Sequence, residues 1–486
     1  MMSRKRHVIV GGGTAGLNAI TTIREYDKGA SDIVLVAEEW PYSRMVLPYY
    51  LGQSISESHV FTATAPRLAQ LGVQFIRADR PVDPIFRALA TQPQNDSPGP
   101  LGPDFVRRRA SGLDTSNNLL KLDDGSSIEY DDLLIATGSS PTRPPIPGAD
   151  GDAIYNQWTI DDSRGVLKDI KPGQDVAMIG AGFISFTILN AVLSHGVNLH
   201  IIEIMPQVLP RMIDNQGAEI VANLLRSRGV NIHTGVSVQS IEDDDGRKKL
   251  IMDGAADITV DLVIMGTGIR PNLGWLDASG LEIDQGIVVD NHLRSNVPNV
   301  YAAGDVAQGH ELITGRKEVH AIEPTAMQHG RVVGANMTGK DISYEGSLLM
   351  NILDVQDLDV ASFGSWNVPD AETSVMANPK NNTYRKLVWD GDKIIGGIIL
   401  GPARGIWTTN DIGMLKGLVQ SQVKLGPWKK YLQENLWDIK RPFVANHVTN
   451  TMLSVTTLDH PTVPAREISA TGAGGGASDK DGEVVD

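Results

Sequence analysis

One pattern, written twice, limits what this chain can fold into. The stretch "HVIVGGGTAGLNAITTIREY" sets Gly11, Gly13 and Gly16 in G-x-G-x-x-G spacing, directly after a short β-branched run and before a helical pattern. The first glycine of such a motif permits a tight turn and the second lets a pyrophosphate approach the backbone. The third lets helix and strand pack closely, leaving the helix N-terminus facing the phosphates. About twenty residues further on, "IVLVAEE" ends in Glu38, placed to accept hydrogen bonds from a ribose. The pattern recurs in "DVAMIGAGFISFTILNAV", with Gly180, Gly182 and, in the third place, Ser185, and "VNLHIIE" then ends in Glu203. Each half closes on a similar strand and glycine turn, "YDDLLIATGSSP" at 130–141 and "VDLVIMGTGIRPN" at 260–272. Two matched units predict an α/β fold with two Rossmann-like dinucleotide-binding halves. Glycine-rich turns without a ligand are the alternative, and it stands more open for the second unit, where Ser185 replaces a glycine.

The chain has 486 residues at 41% hydrophobic, too many for one core, so two or three domains are expected. A net charge of −15 repels phosphate backbones and argues against nucleic-acid or anionic-membrane partners. The chain has no cysteine, which removes disulfides, thiolate nucleophiles and Cys-ligated zinc or iron–sulfur clusters, and fits a cytoplasmic protein. The opening "MMSRKRHVIVGGGTAG" resembles a signal peptide only until its three glycines, which would break the apolar helix. Residues 176–194 carry no charge and approach the length of a membrane span, but the glycines at 180 and 182 predict a strand, a turn and a helix there. No membrane span is expected.

A third stretch, "SNVPNVYAAGDVAQ" at 295–308, runs a strand into Gly304 and Asp305. With these motifs in this order, the chain resembles the pyridine nucleotide–disulfide oxidoreductase superfamily, nearest to ferredoxin or rubredoxin reductases, the flavin part of NADH-dependent nitrite reductases, and NADH oxidases. The resemblance implies FAD on the first unit and NAD(P)H on the second. It places FAD contacts at Gly11, Gly13, Thr14, Ala15, Gly16, Glu38, Arg44, Ala110, Ala136, Thr137, Gly138, Gly304 and Asp305, with Asp305 bonding the ribityl chain. NAD(H) contacts fall at Gly180, Gly182, Phe183, Ile184, Glu203 and Gly268. It also implies an FAD domain at 1–150 and 284–343, an NAD domain inserted at 151–283, and a C-terminal α+β interface domain at 344–444. In relatives that last domain packs near the flavin or forms a dimer, so a homo-oligomer is an expectation.

The stretch "PYSRMVLPYYLG" departs from the family. Met45 stands where oxidase and coenzyme A-disulfide-reductase relatives carry their redox cysteine, and a thioether forms neither thiolate nor sulfenate. Ferredoxin-reductase relatives carry a flavin-side lysine paired with a glutamate; here those positions are Tyr49 and Thr187. Both charges are absent together, which avoids stranding one of them in a partly buried site at a cost of roughly 3–5 kcal/mol. Tyr49 and Thr187 are read either as flavin-side groups or as plain packing. Arg44 survives and is expected to neutralise the FAD pyrophosphate. Glu203 favours NADH over NADPH, because its carboxylate repels a 2′-phosphate and no arginine lies beside it in "IIEIMPQ".

Two segments lie outside the family pattern. Residues 81–106, rich in Pro, Gly and Asn, read as an inserted loop, and the neighbouring Arg107–Arg109 run as a basic spot or a solvated strand edge. In "LGPWKKYLQENLWDIKRPFVANHV", Trp428, Tyr431, Leu432, Leu436 and Trp437 fall at helical spacings, either packed on their own domain or presented to a partner. From 445 onward the chain reads as an extension, acidic and disordered at its end. The resulting expectation is an FAD-dependent NADH:acceptor oxidoreductase that exchanges electrons with a carrier protein or a redox-enzyme subunit. The alternatives are a stand-alone NADH oxidase reducing oxygen and a non-catalytic flavoprotein scaffold with a degenerate NAD site.

Overall fold

The β-branched run ahead of the first glycines, Arg6–Val10, forms β1. All but its first residue are buried, as a parallel strand covered on both faces requires. Helix α1 (Thr14–Asp27) follows the glycine turn, then β2 (Asp32–Ala37), β3 (Val73–Arg77) and β4 (Asp132–Ile135). The chain next builds β5 (Ile154–Asn156), β6 (Asp175–Ile179), α2 (Phe183–Ser194), β7 (Asn198–Glu203), β8 (Asn231–Thr234) and β9 (Leu262–Met265). It then returns to the first sheet as β10 (Val300–Ala302), which pairs in parallel with β4. The sheet orders are β10-β4-β1-β2-β3 and β8-β7-β6-β9-β5, parallel throughout, so the whole second sheet is strung between two neighbouring strands of the first. The computed structural model describes residues 4–77, 109–403 and 406–449; the 81–106 insertion and the end of the extension lie outside them.

Helix α3 (Glu323–Met337) packs on α1. Gly330 and Gly334, one turn apart, sit at the contact, where an added Cβ would meet Ala15 O at 2.2 Å and Ala19 O at 2.6 Å. This close fit carries the first residue of α3, Glu323, to the start of α1.

The C-terminal part is an antiparallel sheet of β11 (Met350–Val355), β12 (Leu358–Gly364), β13 (Glu372–Asn378), β14 (Thr383–Asp390) and β15 (Lys393–Pro402), in the order β11-β12-β15-β14-β13. One face, with Leu353, Val360, Tyr384 and Ile398, shares a core with Phe186 and Leu189 of α2. Asn190 of α2 also donates to the Asp354 carbonyl at 2.9 Å, and the Tyr384 hydroxyl to Asp214 at 2.7 Å. The other face is covered by α4 (Ile406–Ser421), α5 (Pro427–Glu434) and α6 (Lys440–Ala445). Of the two readings of the aromatic segment, packing on its own domain holds for most of it. Leu432, Leu436 and Ile439 are buried in one core with Leu415 and Val419, and Trp428 packs against it. Trp437 stays half open, with the Arg385 guanidinium 4.3 Å over its ring, and Val444 is exposed as well.

Among the described residues no helix is long and apolar enough to cross a membrane, and the uncharged run at 176–194 is divided between β6 and α2.

Candidate functional site

At the end of β1 the chain turns through Gly11, whose φ of +113° excludes side chains and whose added Cβ would lie 2.0 Å from Ala136 O. A Cβ at Gly16 would meet Gly11 O at 2.1 Å, so this residue sits behind the turn and lets α1 close on it. Gly13 differs: its φ is an ordinary −76° and an added Cβ would meet nothing within 4 Å. It faces open space, and α1 starts there without a side-chain cap, leaving backbone N–H groups for an anion.

The second unit repeats this geometry despite its serine. Gly180 has φ +99° and its Cβ would meet Gly266 O at 2.4 Å, while a Cβ at Gly182 meets nothing within 4 Å and α2 is likewise uncapped. The pairings Val10↔Ile135 and Ile179↔Met265 make Ala136 and Gly266 equivalent positions. A Cβ on Gly266 would fall 1.9 Å from Ser185 Oγ. The second unit has therefore moved its small residue from the helix to the facing strand end, and the buried Ser185 occupies the room this frees.

Both turns open into one cavity of about 1870 Å³. A pocket that buries one drug-sized ligand measures roughly 300–1,000 Å³, so there is room for two dinucleotides. From the first unit the cavity wall takes Gly11, Gly13, Thr14 and Ala15, Ala136, Thr137 and Gly138, and Glu38 and Ala110, with Arg109 paired to Glu38 at 2.9 Å. Arg44, Met45, Gly304 and Asp305 line it as well. From the second unit come Gly180, Gly182, Phe183, Ile184 and Thr187, with Glu203 and Gly268.

Tyr49 is a correction. It does not line the cavity and is 61% exposed. In the short helix Leu47–Leu51 each residue is rotated by about 100° from the last. Leu47 and Leu51 are buried and Pro48 faces the cavity, which turns Tyr49 to solvent. Thr187 does line the cavity, with its hydroxyl turned back to the Ile184 carbonyl at 2.6 Å.

The charged groups are held in place. Burial pushes the Asp305 carboxyl up, opposed by the Ser139 hydroxyl donating at 2.6 Å and by the Arg44 charge. Arg44 lies 5.6 Å over the Tyr42 ring and 5.3 Å over that of Trp158, and 3.4 Å from the Glu39 carboxylate. Glu203 is buried, its Oε2 accepting from the Ala181 N–H at 2.6 Å and its Oε1 from the Met205 N–H at 2.8 Å. Glu203 lines the cavity, as does Arg211, eight positions along the chain and outside the motif. Motif reading missed Arg109 as the partner of Glu38, and it missed Glu323, a cavity-lining acid whose only signal is a Glu-Pro helix start in "AIEPTAMQHG".

Behind Asp305, His329 accepts the Gly304 N–H on Nδ1 at 3.3 Å, which places its proton on Nε2, and the Tyr344 ring meets it edge-on at 4.7 Å. Burial pushes its pKa down to about 3. An unfolded imidazole titrates near about 6.5, so below that value the unfolded state binds the extra proton. Stability is then lost as pH falls from there towards the folded value, at up to about 1.4 kcal/mol per unit. Asp305, shifted upward, works in the opposite sense. His329→Asn keeps an acceptor for Gly304 and is expected to flatten the acid limb in urea unfolding measured across this pH window. An unchanged slope would assign the acid sensitivity elsewhere.

Residues 5–330 match the family described as pyridine nucleotide-disulphide oxidoreductase. The chain belongs to this family. Residues 350–409 match the rubredoxin NAD+ reductase C-terminal domain. The chain is 29% identical to the NADH oxidase of Methanocaldococcus jannaschii over 367 residues, 74% of this chain and 76% of that one. It is 28% identical to the NADH-dependent phenylglyoxylate dehydrogenase subunit epsilon of Aromatoleum evansii over 439 residues, 88% of this chain and 95% of that one. The solved NAD-dependent persulfide reductase from A. fulgidus superposes with a TM-score of 0.75 at 25% identity, covering 87% of this chain and 78% of that one. This member of the pyridine nucleotide-disulphide oxidoreductase family is an FAD-dependent NAD(P)H oxidoreductase, with FAD and NAD(H) as its cofactors.

Proposed function

We propose that the chain is the NADH-facing flavoprotein of a larger electron-transfer system. The observation that carries this reading is the single cavity into which both uncapped helix starts open, with Met45 in its wall. In this reading residues 1–150 and 284–343 form the FAD domain, 151–283 the NAD domain and 344–444 the interface domain. Bound FAD supplies the redox chemistry, accepting a hydride from the nicotinamide and giving up electrons singly or in pairs. The chain binds and orients. The N–H groups around Gly13 and Thr14 take the FAD pyrophosphate, Arg44 offsets its charge, and Asp305 holds the ribityl chain. The start of α2 takes the pyrophosphate of NADH, and Glu203 its ribose.

With Met45 and no cysteine in the chain, no internal thiol can store the electron pair, so electrons pass to or from an acceptor outside it. A relative that is itself one subunit of an NADH-dependent dehydrogenase, matched over 95% of its length, supports a subunit or a carrier protein in that role. The oxidase relative favours a second reading, direct reduction of oxygen. Anaerobic mixing separates them. On the first reading NADH bleaches the flavin, a one-electron acceptor restores its colour quickly and air slowly. Rapid oxygen consumption by the isolated chain would favour the oxidase, and a flavin that NADH does not bleach would leave only a scaffold.

The same experiment run with NADPH tests Glu203. NADH is expected to reduce the flavin much faster, and Glu203→Ala to narrow the preference by about 1–2 kcal/mol, from a lost ribose hydrogen bond together with relieved repulsion of the 2′-phosphate. Equal rates in the parent chain would mean that Arg211 overrides the carboxylate.

A further inference from the structure

Glu323 opens α3 at the cavity wall. Its Oε1 accepts from the Thr14 hydroxyl at 3.1 Å and from the Ser43 hydroxyl at 2.7 Å. Those two residues belong to the two cofactor-facing segments of the first unit, the start of α1 and the turn that carries Arg44. The placement is enforced from behind by the close fit of Gly330 and Gly334 on α1. Nothing in the binding roles assigned above uses this carboxylate, and among the described residues no cation is paired with it. Among the described residues its partners are two neutral hydroxyls, which fix its position and leave its charge.

An uncapped N-terminus of a helix as long as α3 would present positive potential to the cavity and favour added negative charge there. A carboxylate at the first residue of that helix reverses the sign. We infer that Glu323 is a redox-tuning residue: its fixed negative charge lowers the reduction potential of the FAD bound beside it and makes the reduced cofactor a stronger electron donor. The inference rests on the proposed FAD site. When NADH gives its hydride to FAD, NAD+ leaves and the flavin gains two electrons and one proton, hence one negative charge unless a second proton follows from solvent. A neighbouring carboxylate disfavours that product and shifts the exchange back towards NADH and oxidised flavin. The flavin then stands closer to balance with the nicotinamide, so hydride passes in either direction according to what the external partner offers.

The test uses the full-length flavoprotein with Glu323→Gln and Glu323→Ala, each equilibrated anaerobically against a redox dye of known potential while the flavin spectrum is followed. Gln keeps an amide Oε1 to accept both hydroxyls and removes only the charge. It is expected to retain FAD and to raise the reduced-to-oxidised ratio about tenfold at a fixed dye potential, about 30 mV for a two-electron couple. Ala should move the ratio the same way and loosen flavin retention as well, because Thr14 and Ser43 lose their common acceptor. A Gln variant with the parent potential would overturn the inference even if Ala shifts, since contacts and not charge would then be responsible. Loss of FAD from the Gln variant would overturn it too, by making the carboxylate a binding element. A parent chain that holds no FAD would instead bring down the FAD assignment itself, an outcome distinct from both.

Discussion

A Gly13→Leu chain is expected to fold and to purify colourless. The backbone at Gly13, with φ −76° and ψ −169°, suits any residue, and the new side chain would start into open space, so neither the turn nor α1 has to move. It would occupy the approach to the uncapped N–H groups of α1, where a pyrophosphate has to come. Two charge-assisted hydrogen bonds lost there, at about 1.5–3 kcal/mol each, weaken flavin binding by two to four orders of magnitude. Flavin absorbance per folded chain is the readout, with circular dichroism and a melting curve as the control for folding. Gly11→Ala is the contrasting case, since its Cβ would fall on the Ala136 carbonyl, and it should damage the fold as well as the flavin content. A yellow Gly13→Leu protein with one FAD per chain would overturn the assignment of the first unit.

What could be read from the sequence followed where local backbone geometry alone decides. The glycines at 11 and 180 need positive φ whatever surrounds them, and the buried strands between helices show as uninterrupted apolar runs. The two sheets and the turns that face the cavity were therefore legible. Features that depend on a partner distant in sequence were not. Ser185 looks like a defect in its motif until Gly266 is seen opposite it, eighty-one positions away. Resemblance to the family puts Tyr49 in the flavin-side position as an expectation, yet the direction of its side chain depends on how Leu47 and Leu51 bury the short helix. Glu323 carries no motif at all, and only the packing of α3 on α1 brings it beside Thr14 and Ser43. The aromatic segment shows the same limit. Its helical spacing was visible, but whether the apolar stripe met its own domain or another protein depended on the sheet that Leu432 and Leu436 find beneath them.

Gly182→Leu should give the complementary result, a yellow protein that NADH no longer bleaches. The two units stand on separate sheets, so an obstruction at the second pyrophosphate cradle leaves the first intact. As at Gly13, the backbone accepts a side chain, here with φ −84°, and an added Cβ meets nothing within 4 Å. FAD content and melting temperature are expected to match the parent. The rate of anaerobic flavin reduction at a fixed, subsaturating NADH concentration should fall by at least about a hundredfold, the equivalent of roughly 2.7 kcal/mol of lost binding. A chemical reductant such as dithionite should still bleach the flavin, which separates a blocked nicotinamide site from a damaged flavin. If NADH reduces the variant at the parental rate, the second cradle is not where the nucleotide binds, and the burial of Ser185 against Gly266 has preserved a fold without its ligand. If the variant loses its flavin, the two units are coupled through α2 and its contact with the helix Leu47–Leu51, and Gly182 acts on both halves of the cavity.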